Sequence, residues 1–211
     1  MILTPIAYDR LEATLTTFAG SLADAATRAV FRRLARLDDA VRAQGETAIK
    51  NHSDAIDIIT KFGIKVSPNP PQTDVSWDGA AFRSATEAYV LLHEVAHYQL
   101  AAPDRRHRVD FGLGPGPETG DRDRAVQAQT LFGLAREREE ALASLLGILW
   151  EAELGHPALA SLLDQNWLEG AGRAGAAAHF AANLALLRSG GFVDRYGRPQ
   201  MRLRDAPTTS V

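Results

Sequence analysis

His93-Glu94-Val95-Ala96-His97 lies inside an apolar stretch, residues 88–98, that reads Ala-Tyr-Val-Leu-Leu-His-Glu-Val-Ala-His-Tyr. On a helix, positions i and i+4 stand one turn apart on the same face, so two imidazoles at this spacing converge where one metal ion can be held. Glu94 sits beside them, placed to reach water at the ion or to orient a ligand. Three ionisable groups in so apolar a segment are costly to bury unless they are paired or bound to metal, and this favours a site over chance. The chain has no Cys, so thiolate ligation and disulfides are excluded and any metal centre is built from imidazole and carboxylate.

Two imidazoles leave an ion undercoordinated, and a carboxylate from another element normally completes such a centre. The run Arg136-Glu137-Arg138-Glu139-Glu140 supplies candidates. Against the stripe of Leu131, Leu134, Leu142, Leu145, Leu146 and Leu149, Glu140 falls on the opposite, solvent face. Glu139 falls at the stripe's edge and Glu137 farther round, so periodicity alone selects Glu139. Asp110 and Glu118 are reserves. The plainer reading of the run is a solvated helix face with i,i+4 ion pairs. His52, His107, His156 and His179 stand alone and read as surface or capping histidines. Trp77, Trp150 and Trp167 read as core anchors, and Arg105, Arg106 and Arg108 as a solvated loop.

The elements around these residues are mostly helices. Leu11, Leu15, Phe18, Leu22, Ala26, Val30, Leu34 and Leu37 recur at three- and four-residue spacing through a helical segment over residues 9–61, with Gly20 and Gly45 as breaks. Ile64-Lys65-Val66 fits an edge strand running into a Pro-containing connector over residues 67–79. The metal helix is expected over residues 80–102, stopped by Pro103. Val109-Asp110-Phe111-Gly112 reads as a short strand or turn, so a small sheet is expected from residues 64–66 and 108–111. Residues 112–120, rich in Gly and Pro, form a loop suited to the rim or lid of a site. Helices follow over residues 121–154, 158–168 and 174–189, the last ended by Gly190-Gly191, and the polar tail from Tyr196 is expected to be loosely held.

The fold class expected is therefore mainly α (α+β), a helical metal-binding domain with a small β-sheet and a zincin-like metal helix. An N-terminal helical arm (1–66) packs on a metal-binding domain (67–195), followed by a flexible tail (196–211). At 211 residues the chain is long enough for this single core. A formal net charge of −3 gives no bulk electrostatic case for nucleic acid or for an anionic membrane surface. No apolar run is long enough to span a bilayer, and the first residues lack the pattern of a signal peptide. A cytoplasmic location is expected.

Residues 82–112 carry more than the metal motif. After His93-Glu94-Val95-Ala96-His97-Tyr98 come Ala101, Arg105-Arg106 and Val109-Asp110-Phe111-Gly112, with Gln127-Ala128-Gln129, Phe132 and Ala141-Leu142 beyond. This stretch resembles the elongation factor P hydroxylase family, in which His-Glu, two small or aliphatic residues and His-aromatic lead on to Arg-Arg and Val-Asp-Phe-Gly. The metal motif is shared with many metallopeptidases; the spacing from Arg-Arg to Val-Asp-Phe-Gly discriminates better. That family binds non-haem iron through two His and one carboxylate and hydroxylates the modified lysine of a translation factor.

The resemblance implies His93 and His97 as ligands. An ungapped match places Arg136 at the carboxylate position and a one-residue gap restores Glu137, so the resemblance selects Glu137 as the third ligand, where periodicity selects Glu139. It also implies an Fe(II)-dependent hydroxylase acting on a protein, peptide or small-molecule side chain, with Glu94 orienting a ligand or relaying a proton. The alternative is a Zn(II) metallopeptidase with Glu94 as general base, since imidazole and carboxylate suit both ions. A non-catalytic metal-binding domain is the third reading. The Gly-Pro loop at 112–117 and the long N-terminal arm depart from the family and imply a different partner.

Overall fold

A computed structural model describes residues 6–169 and 174–205. Among these, eight α-helices accompany one two-stranded parallel sheet. Helix α1 spans Tyr8–Ser21, α2 Ala25–Leu34 and α3 Gly45–Lys61, so the first helical segment is three helices broken near the expected glycines. Asp24 caps α2 by accepting the Thr27 N–H at 2.7 Å. Strand β1 (Lys65–Ser67) pairs with β2 (Ala81–Arg83), Lys65 opposite Ala81 and Ser67 opposite Arg83. Helix α4 spans Ala88–Leu100, α5 Arg122–Ala128, α6 Gly133–Leu154, α7 Ala158–Asp164 and α8 Ala174–Ser189.

Four expectations need correction. The metal helix begins at Ala88 rather than near residue 80, because residues 81–83 leave helical geometry to pair with β1. Residues 109–112 are no strand but a tight 3-10 turn, in which Asp110 and Phe111 both take positive φ, 41° and 55°. The segment 121–154 is two helices, separated by an extended link at Gln129–Phe132 and restarted at Gly133 with φ 53°.

The chain from Tyr196 to Asp205 is tied down rather than loose; residues 206–211 lie outside the described residues. The Gln99 side chain of α4, fully buried, donates to the carbonyls of Gln200 (2.8 Å) and Arg202 (2.9 Å) and accepts from the Trp150 indole at 2.8 Å. Its own carbonyl accepts the Arg204 N–H. A polar tail is held when a buried amide supplies what its backbone needs.

One hydrophobic core runs from Leu11 to Val193. Phe18 of α1 stacks on Phe31 of α2 at 4.6 Å between centroids, and Phe180 of α8 meets both edge-on. Helices α4 and α6 form its centre. Val90, Leu91, Leu92, Val95, Ala96 and Leu100 are all buried, so α4 is apolar on most sides, as an internal helix must be. At the crossing, a Cβ built on Gly147 of α6 would lie 3.1 Å from His93 Cα and 3.3 Å from His93 N, so any side chain there would press the two backbones apart by a few tenths of an ångström.

Substituting Gly147 by Leu is expected to destabilise the fold by about 1–3 kcal/mol through overpacking. Gly20→Ala, where nothing lies within 4 Å of the added Cβ, is expected to stabilise it slightly, by about 0.5 kcal/mol. Denaturant midpoints of the two variants check the contrast. Glu151 of α6 offers a second test. It is buried against the Ser161 hydroxyl, with Arg42 Nη1 at 3.4 Å, and burial pushes its carboxyl up to about 7 against the opposing effects of Ser161 and Arg42. The folded chain keeps a proton there that the unfolded chain releases from its ordinary value of 4.5 upward. The stabilisation is full below that value and is lost as pH rises through about 7. Glu151→Gln should flatten this decline when unfolding is compared between about pH 5 and about pH 8.

Candidate metal centre

The i,i+4 spacing on α4 places His93 and His97 on one face, and their Nε2 atoms converge to 3.0 Å. The third group is Glu140 of α6. Its Oε2 lies 3.3 Å from His97 Nε2 and 3.8 Å from His93 Nε2. One ligand atom from each of the three lies within 4.8 Å of the others. With metal–ligand bonds of about 2.0–2.2 Å, neighbouring ligand atoms sit about 3.0–3.4 Å apart, so the cluster is near the size that a small divalent ion requires.

The donor chemistry fits an ion as well. Each neutral imidazole has one acceptor nitrogen, so two Nε2 atoms facing each other need a shared proton or a shared cation. Both Nδ1 atoms are buried without a hydrogen-bond partner among the described residues. Burial, then the neighbouring His97, hold His93 below the usual imidazole range. For His97 burial acts in the same direction, but the Glu140 carboxylate outweighs it and the net shift is upward. Burial of Glu140 is in turn outweighed by the two imidazoles, which hold its carboxyl well below the usual range. His97 and Glu140 thus stabilise each other's charged forms, and a cation held there would compete with the imidazole proton.

The acid that the fold brings to the two histidines is Glu140, not Glu137 or Glu139. Glu137 is exposed and lines the adjoining cavity, but it is not in the cluster; Glu139 is turned away into a buried ion pair with Arg105. The leucine stripe is a poor guide because α6 is buried on several sides. Leu145, Leu146 and Leu149 pack in the core, while the face toward α4 runs Glu140, Ala143, Ser144, Gly147. These are i, i+3, i+4 and i+7 positions. Small residues there let the helices close at Gly147, and two turns earlier the same face delivers Glu140 to the histidines. The short side chains followed by glycine were the available signal.

Glu94 borders the same space. Burial pushes its carboxyl up to about 8, with the nearby Asp110 and Glu140 carboxylates adding to the rise and His97 and Ser76 opposing it. Asp110 lines the cavity with its oxygens engaged: one accepts the Trp77 N–H at 3.1 Å, the other the Thr119 hydroxyl at 2.9 Å. Glu118 sits at the rim and accepts from Gln72 at 2.8 Å. Neither reserve acid belongs to the cluster.

The cavity is about 1270 Å³, with walls that include Tyr89, Phe111, Leu113, Pro115, Trp167 and His179. The Gly-Pro loop does form its rim, from Gly114 to Thr119. Trp167 is therefore both core anchor and cavity wall, stacked on His179 at 5.2 Å. His156 is buried and paired with Asp54 at 3.1 Å rather than on the surface. Arg105, expected in a solvated loop, is buried.

No protein family, curated protein or solved structure matches the chain. The His93, His97 and Glu140 group is the possible metal site among the described residues.

Zn(II) or Co(II) titration should give one ion per chain. His97→Ala and Glu140→Ala are each expected to weaken binding at least about a hundredfold, while Glu137→Ala leaves affinity within about threefold of the parent. Competition with a chromophoric chelator reads the difference.

Proposed function

We propose that this chain is a mononuclear metal-dependent enzyme, with a non-haem Fe(II) hydroxylase as the leading reading. The observation that carries the proposal is the two-His, one-carboxylate cluster opening onto a large, partly apolar cavity with Glu94 beside it. Two imidazoles and one carboxylate leave coordination positions free, as oxygen-activating iron centres require. The resemblance to elongation factor P hydroxylases supports iron over zinc, and its most discriminating residues pack around the cluster. Phe111 of the Val-Asp-Phe-Gly block lies against His97 at 5.9 Å and 22° between ring planes, and Arg105 donates to the Phe111 carbonyl at 2.8 Å. The cavity exceeds the roughly 300–1,000 Å³ typical of small-ligand pockets, which favours a side chain presented on a protein or peptide over an isolated small molecule.

Bound Fe(II) would supply dioxygen activation, whereas bound Zn(II) would supply only Lewis acidity. His93, His97 and Glu140 would hold the ion. The residues of the rim and the far wall, Pro115 and Trp167 among them, enclose the substrate and limit water. Glu94 holds a proton at its carboxyl beside the ligands, and a nearby dication draws that carboxyl back toward ionisation, so it can give or take a proton near neutral pH.

The same carboxyl is the specific observation behind the second reading, a zinc peptidase. There Glu94 takes a proton from the attacking water and passes it to the leaving amine.

Nitric oxide added to the ferrous protein under anaerobic conditions tests the leading reading without a known substrate. The expected result is the half-integer-spin electron paramagnetic resonance signal of an iron–nitrosyl, lost in His97→Ala. A silent spectrum from ferrous-loaded protein contradicts it. Peptide cleavage by the zinc form that Glu94→Gln abolishes, with metal still bound, would establish the hydrolase instead.

A further inference from the structure

We propose that the buried Arg105–Glu139 pair is the positioning device of the metal centre, fixing through one guanidinium both the helix turn that carries Glu140 and the ring packed on His97. The inference rests on the metal-site reading above and adds to it two residues that are not themselves ligands.

Arg105 and Glu139 are 8% and 6% exposed. Taking both charges out of water is costly before the pair is formed, so such pairs are weak sources of stability. This one has a particular placement. Arg105 lies in the turn that leaves α4, its N–H bonded to the Ala102 carbonyl at 2.8 Å. One arm of its guanidinium donates to Glu139 Oε2. The other donates to the Phe111 carbonyl at 2.8 Å. A planar fork can hold two acceptors at a fixed separation, which a lysine cannot.

Each arm acts on one side of the centre. Glu139 immediately precedes Glu140, in a part of α6 held otherwise by Arg136, which donates to the Pro115 carbonyl at 3.2 Å and lies 3.8 Å from Glu140. Phe132, Gly133, Leu134, Ala135, Glu137 and Arg138 are all exposed. Core packing beyond Ala143 and the Gly147 crossing fix the body of α6, and pinning Glu139 holds its opening turns where Glu140 must face the histidines. On the other side, Asp110 and Phe111 occupy left-handed backbone geometry, which is strained for residues with a side chain and persists only where the surroundings hold it. Arg105 holds the Phe111 carbonyl, Asp110 is held by Trp77 and Thr119, and the turn so fixed lays the Phe111 ring along His97. Among the described residues Arg204 also faces Glu139, at 4.0 Å from Oε2, and the Glu139 carboxylate adds to the upward shift of His97.

Because the pair carries no net charge, replacing both members by methionine removes the cross-link without changing the charge felt by an ion. The test uses the full chain loaded with Co(II), whose visible spectrum reports ligand geometry. Arg105→Met combined with Glu139→Met is expected to leave the metal-free unfolding temperature near that of the parent, as replacement of a buried ion pair by apolar groups often does. Co(II) affinity should fall about ten- to a hundredfold, with displaced or weakened visible bands.

Arg105→Lys, which keeps the charge and loses the fork, should show the same spectral change in smaller degree, and it decides the matter if the double variant does not fold. Parent-like affinity and spectrum in these variants overturn the proposal, as does a loss of stability with an unchanged spectrum. Failure of the unmodified protein to bind Co(II) would instead defeat the metal-site reading itself.

Discussion

The close crossing of α4 and α6 at Gly147 is the constraint on which the site depends. With no side chain at that position, the α6 backbone comes within van der Waals contact of His93. The helices are then near enough for a short carboxylate two turns away to reach both imidazoles. A wider separation would leave Glu140 in solvent and the histidines facing only each other. The same closeness excludes water from one side of the cluster, which strengthens the coupling between the acid and the two bases.

Around that crossing, the molecule uses polar groups sparingly and at fixed points. Gln99, two residues beyond His97 on α4, ties the chain at residues 200–204 to the helix. Asp110 anchors the rim loop through Thr119, whose hydroxyl also accepts the Gly116 N–H at 3.0 Å. Asp74 holds the far end of that loop by accepting the N–H groups of Gly120 and Asp121, and it is itself fixed by Arg83 and Arg124. The Gly-Pro loop is therefore anchored at its C-terminal end from two sides, by Asp110 and by Asp74.

Much of this was legible in the chain itself. The i,i+4 histidines in an apolar stretch pointed to α4 and to two members of the cluster, because helical periodicity is strict and buried ionisable groups demand partners. The mainly helical class followed from the leucine spacing, although that spacing ran across two real breaks: the strand pairing at 81–83 and the extended link at 129–132 depend on contacts distant in sequence. Periodicity and the resemblance select other acids of the run than Glu140, which the fold brings to the histidines, and the reason is physical. Periodicity identifies the most apolar face of a helix, but α6 approaches α4 at Gly147, where the signal is smallness. Arg105 was misread in the same way. Nothing local in a run of arginines reveals that one of them finds a buried glutamate 34 positions later.

The central claim is that α4 and α6 together hold one ion between His93, His97 and Glu140. Anomalous diffraction from a crystal of the metal-loaded protein, collected on both sides of the metal absorption edge, tests it most directly. The account predicts a single peak per chain about 2.0–2.2 Å from both Nε2 atoms and from a Glu140 oxygen. A peak coordinated by Glu137 or Glu139 in place of Glu140, or no peak between these helices at full metal loading, would contradict it.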